Sequence, residues 1–361
     1  MSCFYIFLLL FFLIIAVLLV LYLVSAKPAP PIHYVRSERE GRLPANWKGM
    51  PVDAKNRFMN LRFPFYQNWF QIIEWMPSNA ISLIKNRGKI FPVKKHTDDA
   101  FLQANDTLIW LGHASFFMRI NGINLLIDPN FSNVTFYKRH TDNPIPPGYF
   151  KGINYLLLSH DHNDHADIES LQQLCDHNSS MIIITGHGME KFLRKKLSPD
   201  VTIHTMGWYD IFETKELDIY FTPSRHYCRR LDTHFNEQLW GGFIIQTTIP
   251  GSRAIYFGGD SGYDKKLFDD IKELYAPAIA MLGIGAFRPY YFMHPNHMGP
   301  AEALQAFKDC GADVMIPMHY STFFLGNEMA EEPLDMLKTL QEDEQICITQ
   351  PGEIIQLKQW I

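Results

Sequence analysis
The chain has 361 residues, long for one average domain and enough for one large layered α/β unit. With 47% hydrophobic and 20% charged residues it can bury a sizeable core, which excludes wholesale disorder. Its 33 Lys and Arg against 38 Asp and Glu leave a net charge of −5, which excludes a surface built throughout to grip nucleic acid. Cys3, Cys175, Cys228, Cys310 and Cys347 are scattered and odd in number, so neither a disulfide framework nor a CxxC zinc ribbon is legible. Reduced thiols in a cytosol-facing domain are expected.

From Cys3 to Val24 the chain carries no charge, Gly or Pro. About 20 apolar residues suffice to cross a bilayer core, and a secretory signal would have a charged start and a shorter apolar run. Residues 1–26 therefore read as a transmembrane helix of a single-pass membrane protein. Lys27, Arg36, Arg39 and Arg42 follow the run, which by the positive-inside rule puts the catalytic domain on the cytoplasmic side. Residues 27–55 read as a Pro-rich basic tether. Residues 56–104, with aromatic and aliphatic clusters, read as an N-terminal extension that packs on the catalytic domain or touches lipid. Residues 105–361 form the catalytic domain.

Within that domain short β-like runs alternate with helical stretches. Strands are predicted over Thr107–Leu111, Ser115–Arg119, Ile123–Ile127 and Tyr155–Leu158, followed by a helix over Asp167–His177. A strand over Met181–Thr185 leads to a helix over Gly188–Lys196. Strands follow over Asp218–Thr222, Gly242–Thr247 and Ala254–Phe257, then a helix over Lys265–Leu274. A strand over Ile279–Leu282 precedes a helix over Pro300–Cys310, begun by Pro300 and ended by Gly311. The pattern closes with a strand over Val314–Met318 and a helix over Glu332–Gln341. Many strands with interspersed helices suggest two stacked sheets flanked by helices.

The chemistry is concentrated where the apolar run Tyr155-Leu-Leu-Leu stops. There follow Ser159 and His160-Asp161-His162-Asn163-Asp164-His165. Imidazole and carboxylate hold borderline metals such as zinc. His160 and His162, two apart on extended chain, share a side. The turn into the next helix brings Asp164 and His165 to a neighbouring point. Other strand ends supply His226, Asp260 between small residues, and His319. Together they provide His160, His162 and His226 for one metal, Asp164, His165 and His319 for the other, and Asp260 as the bridge.

This constellation resembles the metallo-β-lactamase superfamily, and within it the N-acyl-phosphatidylethanolamine-hydrolysing phospholipase D branch. The likeness rests on Trp110-Leu-Gly-His-Ala114, Asp128-Pro-Asn-Phe-Ser132, Leu158–His165 and Thr222-Pro-Ser-Arg-His-Tyr-Cys228. It continues through Gly259-Asp-Ser-Gly-Tyr263, Ile284-Gly-Ala-Phe-Arg-Pro289, Phe292-Met293, His297 and His319. The branch usually has Tyr where Asn163 stands and Asp where Gly299 stands. Head-group and acyl preference are the properties these departures put in question.

The resemblance implies an αββα sandwich of the metallo-β-lactamase type and a zinc-dependent hydrolase holding two Zn2+. Its reaction would be attack of a metal-bridging hydroxide on N-acyl-phosphatidylethanolamine-type phospholipid, releasing phosphatidic acid and N-acylethanolamine. Asp164 and His297 take the catalytic roles, His297 by contacting the phosphate or assisting the leaving group. Asp128 is a candidate acceptor for a ligand imidazole N–H, and His113 a structural neighbour of the site. Tyr290, Tyr291, Phe292 and Met293 are candidates for contact with the acyl chain. Phospholipid and membrane are the expected partners, nucleic acid is not, and homodimerisation is left open. The alternatives are a hydrolase of another ester, lactone or phosphodiester, and a non-catalytic membrane-tethered module that binds metal or lipid.

Overall fold
The computed structural model describes residues 5, 11–12, 31–65, 69–135, 137–341 and 345–361. Its strands are β1 (His33–Val35), β2 (Met50–Val52), β3 (Thr107–Gly112), β4 (Ser115–Ile120), β5 (Ile123–Ile127), β6 (Tyr155–Leu158), β7 (Ile182–Gly186) and β8 (Thr202–Met206). They continue with β9 (Ile211–Glu213), β10 (Leu217–Thr222), β11 (Gly242–Thr247), β12 (Ile255–Phe257), β13 (Ile279–Gly283), β14 (Val314–Met318) and β15 (Ile354–Gln356). The helices are α1 (Trp69–Lys85), α2 (Ile168–His177), α3 (Met189–Leu193), α4 (Lys265–Tyr275), α5 (Tyr290–Met293), α6 (Pro300–Cys310) and α7 (Glu332–Leu340).

The strands form a seven-stranded sheet ordered β15-β3-β4-β5-β6-β7-β8 and a six-stranded sheet ordered β14-β13-β12-β11-β10-β9. Alternation along each strand explains the layering. Leu108 and Trp110 of β3, Phe116 and Met118 of β4, and Leu157 of β6 pack with Phe221, Phe243 and Phe257 of the second sheet. The residues between them, Ile109, Leu111, Phe117, Leu156 and Leu158, turn the other way, onto Leu171 and Leu174 of α2 and Phe192 of α3. On the far side of the second sheet α4 and α6 contribute Leu267, Phe268, Leu304 and Phe307. The order is helix, sheet, sheet, helix. Because β5, β6 and β7 are parallel, and β12, β13 and β14 likewise, their C-terminal ends gather along one edge.

Helix starts follow local chemistry. Asp167 caps α2 by accepting from the Ser170 N–H, and Asp264 caps α4 by accepting from the Lys266 N–H. Pro300 opens α6, and Gly311 closes it in the left-handed region. Strands β8, β9 and β15 were not predicted. Each is a short, partly exposed edge element whose sequence shows little contrast with the loops beside it. The four described cysteines are free.

The single-pass topology expected from the sequence, with a cytoplasmic catalytic domain, is not upheld. Among the described residues no helix is long and apolar enough to cross a membrane. The longest, α1, has 17 residues and carries Glu74, Asn79, Ser82 and Lys85, whereas a span needs about 20 predominantly apolar ones. Of the run Cys3–Val24 only Tyr5, Phe11 and Phe12 are among the described residues, and the rest lies outside them. Residues 31–65 lie on the domain: Gly41 N–H donates to Tyr209 O, Ser37 donates to Asp210, and Arg62 pairs with Asp264.

Leu157 is fully buried between the sheets, one residue from the strand end that launches the histidine cluster. Leu157→Ala is expected to cost about 2–5 kcal/mol through lost transfer energy and a residual cavity. Denaturant unfolding with an unchanged m-value would measure it.

Candidate metal centre
The turn after β6 is short and doubly tied. The N–H groups of His165 and Ala166 both donate to His162 O, curling the chain so that Asp164 and His165 come round beside His160. Arg230 holds the curl from outside, donating from Nη1 to the carbonyls of Asp161 and Ala166. Thr233 donates to the Asp161 carboxylate. Asp260 enters from the end of β12. A Cβ on Gly259, whose φ is +59°, would come within 2.4 Å of Gly241 O, so only glycine lets the loop approach this closely. His319 follows β14, and His226 follows β10.

These side chains converge. Asp260 is the hub: Oδ2 lies 3.2 Å from His165 Nε2, 3.7 Å from His226 Nε2, 4.0 Å from His160 Nε2 and 3.7 Å from His297 Nδ1. Its Oδ1 lies 3.2 Å from His319 Nε2. Asp164 Oδ2 sits 3.4 Å from His165 Nε2 and 3.6 Å from His319 Nε2. Two four-membered groups result, His160/His162/His226/Asp260 and His113/Asp164/His165/His319, each with its ligand atoms within 4.8 Å of one another.

The outer hydrogen bonds assign the tautomers. His165 Nδ1–H donates to Asp128 Oδ2 at 2.7 Å. Ser159 donates to the same oxygen at 2.5 Å and faces His160 Nδ1 at 2.9 Å, where it acts as acceptor. His226 Nδ1–H donates to Asn296 O at 3.0 Å. Each bond leaves an Nε2 lone pair aimed inward. His160 Nε2, His165 Nε2 and His319 Nε2 are buried without a hydrogen-bond partner, and His226 Nε2 stands 3.1 Å from His162 Nδ1. Buried polar atoms without partners are costly, and lone pairs directed at each other and at two carboxylates suit a divalent cation.

Electrostatics point the same way. Burial works against ionisation of Asp164 and Asp260, yet His165 and the hydrogen bonds from the surrounding imidazoles hold both carboxyls well below the ordinary range. Burial and neighbouring imidazoles push His160 and His226 well down. His319, with burial outweighed by Asp260 and Asp164, rises to about 9. Since a metal needs neutral imidazole, its binding here releases protons.

The structure thus brings together His160, His162, Asp164, His165, His226, Asp260 and His319, with His297 at the rim and Asp128 behind His165. His113 lies closer to the centre than a structural neighbour need be. Its Nε2–H donates to Asp164 Oδ2 at 2.7 Å, and its backbone is held at φ +53° by the Thr322 hydroxyl. Of the acyl-contact candidates, Tyr290 and Tyr291 are exposed and Met293 is buried. They form α5, one turn before His297, whose N–H donates to Met293 O. Asn60 was missed: its side chain makes a two-way pair with His226, donating to the carbonyl and accepting from the N–H. No motif marks it, because its partner lies 166 residues away. Arg230, which fastens the curl from outside, was given no role. Tyr227, facing the His162 ring at 4.8 Å and stacked on Phe65, was likewise left without one.

A sandwich of this order with a His/Asp cluster at one edge suits a metal-dependent hydrolase, and comparison with known proteins agrees. A family profile described as "Beta-lactamase superfamily domain" matches residues 123–320, more than half the chain. The chain belongs to the metallo-β-lactamase superfamily. Two of its relatives are described as N-acyl-phosphatidylethanolamine-hydrolysing phospholipases D. The mitochondrial enzyme of that name from Saccharomyces cerevisiae is 31% identical over 244 residues, 64% of this chain and 51% of that one. The match therefore spans about half the length of the yeast protein. Phospholipase D 1 of the same description from Caenorhabditis elegans is 27% identical over 313 residues, 82% of this chain and 84% of that one. Among solved structures, the metallo hydrolase Igni18 from Ignicoccus hospitalis shares the fold. It aligns with a TM-score of 0.52 and 23% identity, over 69% of this chain and 97% of that one.

Asp260 faces both four-membered groups, so Asp260→Asn is expected to lower bound metal and hydrolysis together. Asp128→Asn, which disturbs the support behind His165 and, through Ser159, that behind His160, should weaken metal affinity by about 10–100-fold. Elemental analysis of each purified variant, with competition against a chelator, would separate the two effects.

Proposed function
We propose that this hydrolase is a dinuclear zinc phosphodiesterase that cleaves N-acyl-phosphatidylethanolamine-type phospholipids into phosphatidic acid and N-acylethanolamine. The observation that carries the metal reading is the pair of four-membered His/Asp groups, one containing Asp260 and the other presenting His165 and His319 at 3.2 Å from its carboxylate, with orphaned Nε2 atoms directed inward. The substrate reading rests on the two relatives of that description and on the rim of the site, where the aromatic turn α5 precedes His297. His160, His162 and His226 would hold one ion, Asp164, His165 and His319 the other, with Asp260 between. Bound there, zinc supplies activated water near neutral pH and offsets the negative charge that grows on a phosphoryl oxygen.

The chain's own groups do the rest. In the hydrolysis one P–O bond forms from water and the P–O bond to the ethanolamine oxygen breaks, while a proton passes to that leaving oxygen. Asp164 accepts from His113 and lies within reach of His165 and His319, a position from which it orients the attacking water. His297, held neutral because burial lowers its pKa to about 4, contacts the phosphate or the leaving oxygen through a ring nitrogen. The dry walls around the cluster strengthen each of these interactions.

Turnover of a phospholipid panel followed by mass spectrometry tests the substrate. N-acyl-phosphatidylethanolamine is expected to yield phosphatidic acid and N-acylethanolamine, and exclusive hydrolysis of another lipid or ester would overturn the reading. His297→Ala is expected to keep its metal while kcat/KM falls about 10²–10⁴-fold. Loss of metal in that variant would make His297 a ligand instead.

A further inference from the structure
Helix α1 packs the wrong way round for a surface helix. Asn79, Ser82 and Asn86, just beyond its C-terminal end, are buried on one side. Asn79 donates to the carbonyls of Leu325 and Gly326, and Ser82 and Asn86 donate to Glu328 O. Asn86 also accepts from the Ala330 N–H. The opposite side is apolar and faces outward: Ile73 is 66% exposed, Met76 58%, Ile81 54% and Ile84 72%. Pro77 and Ala80 fill the same exposed stripe. The spacing 73, 76, 77, 80, 81, 84 is that of a helix face made to be covered, and the polar contacts beneath prevent the helix from rolling over to cover it.

Two observations say what covers it. The stripe ends in positive charge. Exposed Lys85 and Arg87 follow Ile84, with Ile90 exposed beyond them. Residues 69–95 hold Lys85, Arg87, Lys89, Lys94 and Lys95 against Glu74 alone, in a chain whose net charge is −5. Lys89 and Lys95 are engaged by Glu331 and Asp142, which leaves Lys85 and Arg87 beside the stripe. Apolar residues edged by Lys and Arg are the chemistry of a helix lying in an anionic lipid interface. The stripe is also continuous with the rim of the metal centre. Trp75 packs against Phe292 of α5 with ring centroids 5.4 Å apart, and Tyr290 and Tyr291 extend the exposed surface toward His297.

We propose that α1 is an interfacial docking helix. It lays Ile73, Met76, Ile81 and Ile84 into the boundary between headgroups and acyl chains of an anionic phospholipid bilayer, with Lys85 and Arg87 on headgroup phosphates. The contacts to residues 325–330 fix this surface relative to the active site, because the Glu328 carboxylate accepts from the Ala286 and Arg288 N–H groups just before α5. Lipid drawn from the docked face then has a short path to His297. That purpose rests on the phospholipid reading above, whereas the docking itself is measurable without it.

The test uses the full chain and flotation with vesicles of phosphatidylcholine, with and without phosphatidylglycerol. The combined variant Ile73→Ser, Ile81→Ser, Ile84→Ser is expected to bind at least about ten-fold more weakly, with an unchanged circular dichroism spectrum. The variant Lys85→Glu, Arg87→Glu alters only exposed side chains and is expected to lose the preference for phosphatidylglycerol and its sensitivity to salt. Both should hydrolyse a short-chain, monomeric N-acyl-phosphatidylethanolamine at the native rate, and the same lipid in bilayers about ten-fold more slowly. Native vesicle binding by both variants would overturn the proposal. So would a dimer that the serine variant converts to monomer with vesicle binding intact, since the face would then belong to a second copy. If binding depends on the face while no N-acyl-phosphatidylethanolamine is hydrolysed in any form, docking stands and the substrate reading fails.

Discussion
Seven imidazoles, those of His113, His160, His162, His165, His226, His297 and His319, crowd around Asp128, Asp164 and Asp260. In so dry a place each additional positive charge raises the energy of the others, and every unpaired lone pair has lost its water. The carboxylate of Asp260 makes the arrangement tolerable, because its two oxygens face His165 and His319, each at 3.2 Å. Everything that shapes this edge of the sandwich serves that gathering. Gly259 lets the Asp260 loop pass against Gly241, and the parallel strands bring β6, β12 and β14 to their ends at the same rim.

Holding the cluster has a local cost that the surrounding fold offsets. His113, Asp128, Ala286 and His319 all have φ between +42° and +64°. For residues other than glycine this region costs about 1–3 kcal/mol each, so these positions persist only because neighbours determine them. The Thr322 hydroxyl accepts from the His113 N–H, and the Glu328 carboxylate accepts from the Ala286 N–H. Asp128 is tied to Ser159 through both the backbone N–H and the hydroxyl. It works as a junction, fixing the His165 ring directly and the His160 ring through Ser159. One buried carboxylate thereby sets the direction of two inward lone pairs.

The N-terminal segment belongs to the same device. Asn60 clasps the backbone of His226, and Phe65 stacks on Tyr227, which faces His162. On the other flank the buried polar side of α1 holds residues 325–330. Tyr137 donates to Asn79 Oδ1 on that helix, and burial, with the Asp164 charge adding to it, pushes its phenol up to about 12. Segments that precede the sandwich in sequence therefore brace both sides of its working edge.

The sequence by itself determined the layered class of the fold, the inner strands, and the set of side chains that meet at the edge. These are local properties: an apolar run reads as a buried strand, and His160-x-His162-x-Asp164-His165 at its end places four candidate ligands, three imidazoles and a carboxylate, within one turn. Tertiary structure decided what depends on partners distant in sequence. Tautomers at His160, His165 and His226 follow from Ser159, Asp128 and Asn296, and only folding brings Asn60 to His226 or turns His113 toward Asp164. The apolar clusters in residues 56–104 were visible, and so was an amphipathic surface, but periodicity marks two faces of a helix without saying which is buried. In α1 the amides and the serine won, because their hydrogen bonds to carbonyls of residues 325–328 fix the orientation and leave Ile73, Met76, Ile81 and Ile84 on the outside.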